Sequence, residues 1–136
     1  MEQSFVFFAV FEFDKDLDRV SSVVGVQPTR SWLKGEPFSE QGGRHTHDRW
    51  ELGSTSPDAA SPEEKLLELV GTLEELAPGV RAAAEQFEAG IGCAVYTSQA
   101  NPGIHISATL LARIAALGLT LDFDVYQLEK SHEHHA

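Results

Sequence analysis

The chain has 136 residues, 42% of them hydrophobic and 23% charged, which describes one ordinary domain with its own core rather than a disordered segment or two independent units. Twenty-one acidic against ten basic side chains give a net charge of -11, a field that repels nucleic-acid phosphates and anionic membranes and argues against both as partners. Cys93 is the single cysteine, so no disulfide can form within the chain, and no stretch approaches the roughly 18 apolar residues of a membrane span. A reducing, cytoplasmic location is the expectation.

Phe5 to Phe13 is nearly all apolar and rich in Phe and Val, the pattern of a central strand covered on both faces. Asp14 and Asp16 then place negative charge at a helix start, Leu17, Val20 and Val24 share one face, and Gly25 ends the helix. Val26 to Gly35 reads as a second strand entered through Pro28. Glu36 to Arg44, with Pro37, Gly42 and Gly43, is a loop, and Thr46 to Leu52 around Trp50 is a third strand that pairs with the second across it. Ser61-Pro62-Glu63-Glu64 is a helix start with a capping box, and Leu66, Leu69, Val70, Leu73 and Leu76 recur at helical spacing until Pro78-Gly79 breaks the helix in two.

Ile91 to Thr97 is a fourth strand, and Ser107 caps a helix whose Leu110, Leu111, Ile114 and Leu117 face inward as far as Gly118. In Leu119 to Leu128 strict alternation of Leu119, Leu121, Phe123 and Val125 with polar residues predicts a half-buried strand. The order strand, helix, strand, strand, helix, strand predicts an α+β domain over 1–128: a ferredoxin-like split βαβ sheet, mostly antiparallel, with helices on one face and a helix and strand appended. Residues 129–136 read as a disordered polar tail. The first strand offers apolar side chains to both faces, so a homodimer closing the second face is a further expectation.

The run Gly25-Val26-Gln27-Pro28-Thr29-Arg30-Ser31-Trp32, the Lys34-Gly35 pair, Trp50-Glu51-Leu52, Leu117-Gly118-Leu119 and Asp122-Phe123-Asp124-Val125-Tyr126 occur in an order that resembles domain of unknown function 4279, over about Phe5 to Tyr126. The resemblance implies a bacterial origin and carries no catalytic residue over.

Between Gln27 and Trp50 lie Arg30, Lys34, Arg44 and Arg49, so this is the one region that leans positive. On a strand, Arg30, Trp32 and Lys34 share one face and offer a guanidinium, an indole and an ammonium to a carboxylate or phosphate; the competing explanation is packing of Trp32 and solvation of the cations. His45 and His47 point the same way on an extended chain, and His105 joins them only if the fold brings it near. Two histidines with neither a cysteine pair nor a His-Glu-x-x-His helix do not specify an ion, so neither metal nor cofactor is expected. Ser61 and Ser107 are explained as helix caps, no nucleophile elbow or phosphate loop occurs, and Asp122 and Asp124 read as a solvated strand face.

These features point to a non-enzymatic protein-interaction module, of antitoxin-like or immunity type, whose acidic surface meets a basic protein partner. The alternative is a small-molecule anion binder or enzyme, with Arg30, Trp32, Lys34, His45, His47, Trp50 and His105 as the candidate ligand-binding residues.

Overall fold

A computed structural model describes residues 3–37, 42–56 and 60–129. Along them run β1 (Gln3–Phe11), α1 (Leu17–Val24), β2 (Arg30–Trp32), β3 (Arg49–Gly53), α2 (Pro62–Glu75), α3 (Ala77–Gln86), β4 (Glu88–Thr97), α4 (Ala108–Ala116) and β5 (Thr120–Gln127). The strands form one open sheet in the order β2-β3-β1-β4-β5, antiparallel at every junction except β4–β5. The α+β expectation holds. The first four strands interleave as a split βαβ arrangement does, in outline ferredoxin-like, and α4 is the crossover that a parallel β5 requires.

The two-residue period of the strands sorts the sheet into two faces. Val6, Phe8 and Val10 of β1 align with Trp50 and Leu52 of β3 and with Ile91, Cys93 and Val95 of β4. Against them pack Val20 and Val24 of α1, Leu66, Leu69, Val70 and Leu73 of α2, Val80 and Ala83 of α3, and Leu110 and Ile114 of α4, which makes the core. Phe5, Phe7, Ala9 and Phe11 project from β1 to the opposite face.

Local chemistry sets the helix ends where the sequence places them. Asp16 accepts the Arg19 N–H to start α1, and Gly25, at φ 98°, ends it in the left-handed conformation. Ser61 and Glu64 form both halves of the capping box on α2, and the Ser61 N–H holds the Glu64 carboxyl below the usual range. The break between α2 and α3 falls at Leu76, because Pro78 has no N–H to continue the ladder.

Three strand expectations are corrected. β2 is confined to Arg30–Trp32, because Pro28 cannot donate to a ladder and Lys34-Gly35 turns the chain, with Gly35 at φ 94°. β3 begins at Arg49 rather than Thr46, because the preceding residues serve that turn through Asp48, whose carboxylate accepts the Lys15 and Lys34 N–H groups, each at 2.8 Å. β5 is exposed on both faces: Phe123 and Val125 remain 37% and 45% exposed, since helix cover reaches Leu119 and Leu121 and stops there. The polar tail expected over 129–136 lies outside the described residues from Lys130 onward.

Cys93 is buried in the core, and burial pushes its thiol up to about 11 although the Lys65 charge acts the other way. Native protein is therefore expected to resist iodoacetamide at pH 8 and to be fully alkylated in denaturant, as read by intact mass. Rapid native labelling would show that the core opens around β4.

Candidate functional site

On the sheet face away from the helices, Ala9 of β1 stands between Glu51 and Gly90, Phe7 between Gly53 and Gly92, and Phe5 beside Ala94, so small residues alternate with the phenylalanines. Glycine is needed at the centre, because a Cβ on Gly92 would lie 2.5 Å from the Phe7 ring. A groove of ≈ 600 Å³ lies across all five strands, with Gly53 and Ala94 as the small residues of its floor, and a smaller hollow of ≈ 340 Å³ lies beside it over Ala9, Gly90 and Gly92.

One wall of the groove is cationic. The Arg49 guanidinium lies 4.7 Å from the Phe7 ring, 4.9 Å from Phe11 and 5.5 Å from Trp32, while Arg30 lies 5.1 Å from Trp32. Between them sits Glu51, its side chain only 8% exposed, paired with Arg49 Nε and, at 3.3 Å, with Arg30 Nε. A carboxylate this buried needs such partners, and the two arginines are held apart and oriented by sharing it. Both use Nε for that contact. Among the described residues no terminal nitrogen of either guanidinium donates a hydrogen bond, so their forked faces remain available to another acceptor.

A third cation closes the groove where β3 ends. Lys65 of α2 is buried and donates from Nζ to the Ser4 carbonyl at 2.6 Å, a β1 acceptor lying beyond the last β3 pairing at Phe7. The far wall is aromatic: Phe5 meets Tyr96 edge-on at 5.9 Å, and Tyr96 stacks on Tyr126 at 4.7 Å, with Asp124 beside them in the lining.

Of the residues singled out from the sequence, Arg30 and Trp32 line the groove, and His45 stacks on the Trp32 ring at 4.5 Å. The others lie elsewhere. Lys34 leaves the shared face because β2 ends at Trp32, and its N–H serves Asp48. Trp50 has the opposite parity to Arg49 and Glu51, so it is fully buried among the helices, with Nε1 donating to Ser21 Oγ at 3.0 Å and its ring edge-on to Phe8. His47 lies exposed outside the groove, its Nδ1 2.7 Å from Glu12 Oε1, and His105 is exposed in the loop before α4. Among the described residues no three His, Cys, Asp or Glu side chains come together as metal ligands.

Arg49, Glu51 and Lys65 were missed as site residues. For Lys65 a signal existed: it stands one turn before Leu69 and two before Leu73, on the inward stripe of a helix that otherwise excludes charge there.

The family model described as Domain of unknown function (DUF4279) matches residues 2–128 of the chain. No curated protein and no solved structure matches it. No helix among the described residues is long and apolar enough to cross a membrane.

Proposed function

The chain belongs to the DUF4279 family, and because that membership names no reaction we propose its function from the groove: a binding module that takes an organic anion, a carboxylate or phosphate on a flat apolar body. One observation carries this reading. In a protein of net charge -11, Arg30, Arg49 and Lys65 converge on a single groove against two carboxylates, Glu51 and Asp124. The anionic group would meet the forked faces of Arg30 and Arg49, and the apolar body would lie over Phe7, Gly53 and Ala94 between Trp32 and the tyrosines. Focusing by the apolar walls strengthens the local field where the surrounding surface would oppose it.

The test is calorimetric titration with aromatic carboxylates, the matching aryl phosphates and their neutral amides. The anions are expected to bind and the amides not, and the stronger of the two anion series identifies the headgroup. Arg30→Ala is the informative variant. Its side chain is 69% exposed and Glu51 keeps Arg49 as a partner without it, so its loss should lower the melting temperature by no more than a few degrees, yet remove a charge-assisted contact and weaken binding by about tenfold or more. Amides that bind as tightly as the anions, or an Arg30→Ala protein of unchanged affinity, would remove the basis of the reading.

A further inference from the structure

The two edges of the sheet are unlike. β2 is three residues long and preceded by Pro28, both of which blunt an edge. β5 is eight residues long, pairs with β4 without a bulge from Thr120 to Gln127, contains neither Pro nor Lys, and no described residue pairs with its outer side. A strand in that position presents alternate N–H and C=O groups ready for another strand. Its side chains carry a distinct pattern. Asp122 and Asp124 point to the groove face, while Phe123 and Val125 point to the other and are left exposed beyond the helix cover.

Among the described residues the two aspartates alone guard this edge, and they guard selectively. A second copy adding its own β5 antiparallel about a two-fold axis normal to the sheet pairs positions of like parity, and the longest such registers, which leave out one end residue, set Asp122 against Asp124, or Asp124 against itself. Like charges directly opposite destabilise a pairing, and the net charge of -11 on each copy adds to the repulsion. A segment with Lys or Arg at every second position reverses that sign while its intervening apolar residues cover Phe123 and Val125.

We propose that the outer edge of β5 docks an extended segment of a basic partner protein, by strand addition, with alternating cationic and apolar side chains. Main-chain hydrogen bonds supply the pairing, and Asp122, Phe123, Asp124 and Val125 select the sequence. The site shares Asp124 with the far wall of the arginine groove but uses none of Arg30, Arg49 and Lys65.

The experiment uses the full chain, labelled with nitrogen-15, and a capped octapeptide of alternating lysine and valine. A peptide of four lysines followed by four valines has the same composition and charge without the alternation. The alternating peptide is expected to shift and protect the amides of Phe123 to Tyr126, and to bind about tenfold more tightly than the block peptide. Asp122→Lys, at an exposed position that does not threaten folding, should weaken it about tenfold, and Arg30→Ala should leave it unchanged. Equal binding of the two peptides would reduce the effect to bulk charge and overturn the proposal. So would shifts centred on Trp32, or a dimer seen by sedimentation of the chain alone whose amide protection maps to β5, which would give the edge to a second copy.

Discussion

Gly79→Ala is expected to destabilise the domain by about 3 kcal/mol, although alanine is the better helix former by about 1 kcal/mol. The first turn of α3 meets the last turn of α1 at this residue. A Cβ placed there would lie 2.2 Å from the Val24 carbonyl oxygen and 2.6 Å from that of Val23. Both are main-chain atoms, so no rotamer change relieves the clash, and the helices must part along their contact. Gly71, inside α2, is the control: nothing lies within 4 Å of its Cβ position, so Gly71→Ala should stabilise by about 0.5–1 kcal/mol. Urea denaturation of the two variants distinguishes packing from propensity by the sign of the change. A Gly79→Ala protein as stable as the parent would mean that α1 shifts freely on the sheet.

The second large effect is expected at Asp48. Its carboxylate joins two segments that have no ladder in common, the N–H of Lys15 after β1 and the N–H of Lys34 after β2. The first of these is a taut connection: Glu12, Asp14 and Lys15 all have positive φ, at 54°, 54° and 62°, which side-chain-bearing residues adopt only when held. Asp48→Ala strips the acceptor from both N–H groups and should destabilise by about 2–3 kcal/mol, with Asp48→Asn between, because an amide offers only one oxygen. Burial works against ionisation of Asp48, but the two N–H donors and the Lys15 and Lys34 charges outweigh it and hold the carboxyl below its ordinary value of 3.8. A group depressed in this way contributes its stability above the unfolded value and loses it as pH falls through the folded one. The gap between parent and Asp48→Ala should therefore be full at pH 6 and close progressively below about pH 4. A gap that stays constant down to pH 2 would place the effect elsewhere.

What the sequence disclosed follows how far each signal reaches along the chain. Helix starts at Asp16, Ser61 and Ser107 were legible because a cap and its partner lie within three residues. The ends of β2 and β3 were not, because they depend on Asp48 reaching Lys15 across 33 residues of sequence. Within the site, Arg30 and Trp32 could be put on one face by the period of two. Assigning Arg49 to that face and Trp50 to the core required the β1–β3 register, Ala9 against Glu51 and Val10 against Trp50. β5 misled for a related reason: alternation shows which residues could be buried together, and only the position of α4 decides whether they are.

The place of β1 also bears on how the molecule comes into being. Gln3–Phe11 holds four phenylalanines and lies between β3 and β4, so this segment, made before either neighbour, is enclosed only after Thr97 has emerged. At about 5–20 residues per second, the wait from Phe11 to Thr97 is about 4–17 s. For that interval a hydrophobic, strand-forming segment has at most a three-stranded partial sheet to shelter it. Yield of soluble protein should accordingly depend on what the nascent chain meets while β4 is still being made, more than on the stability of the finished fold.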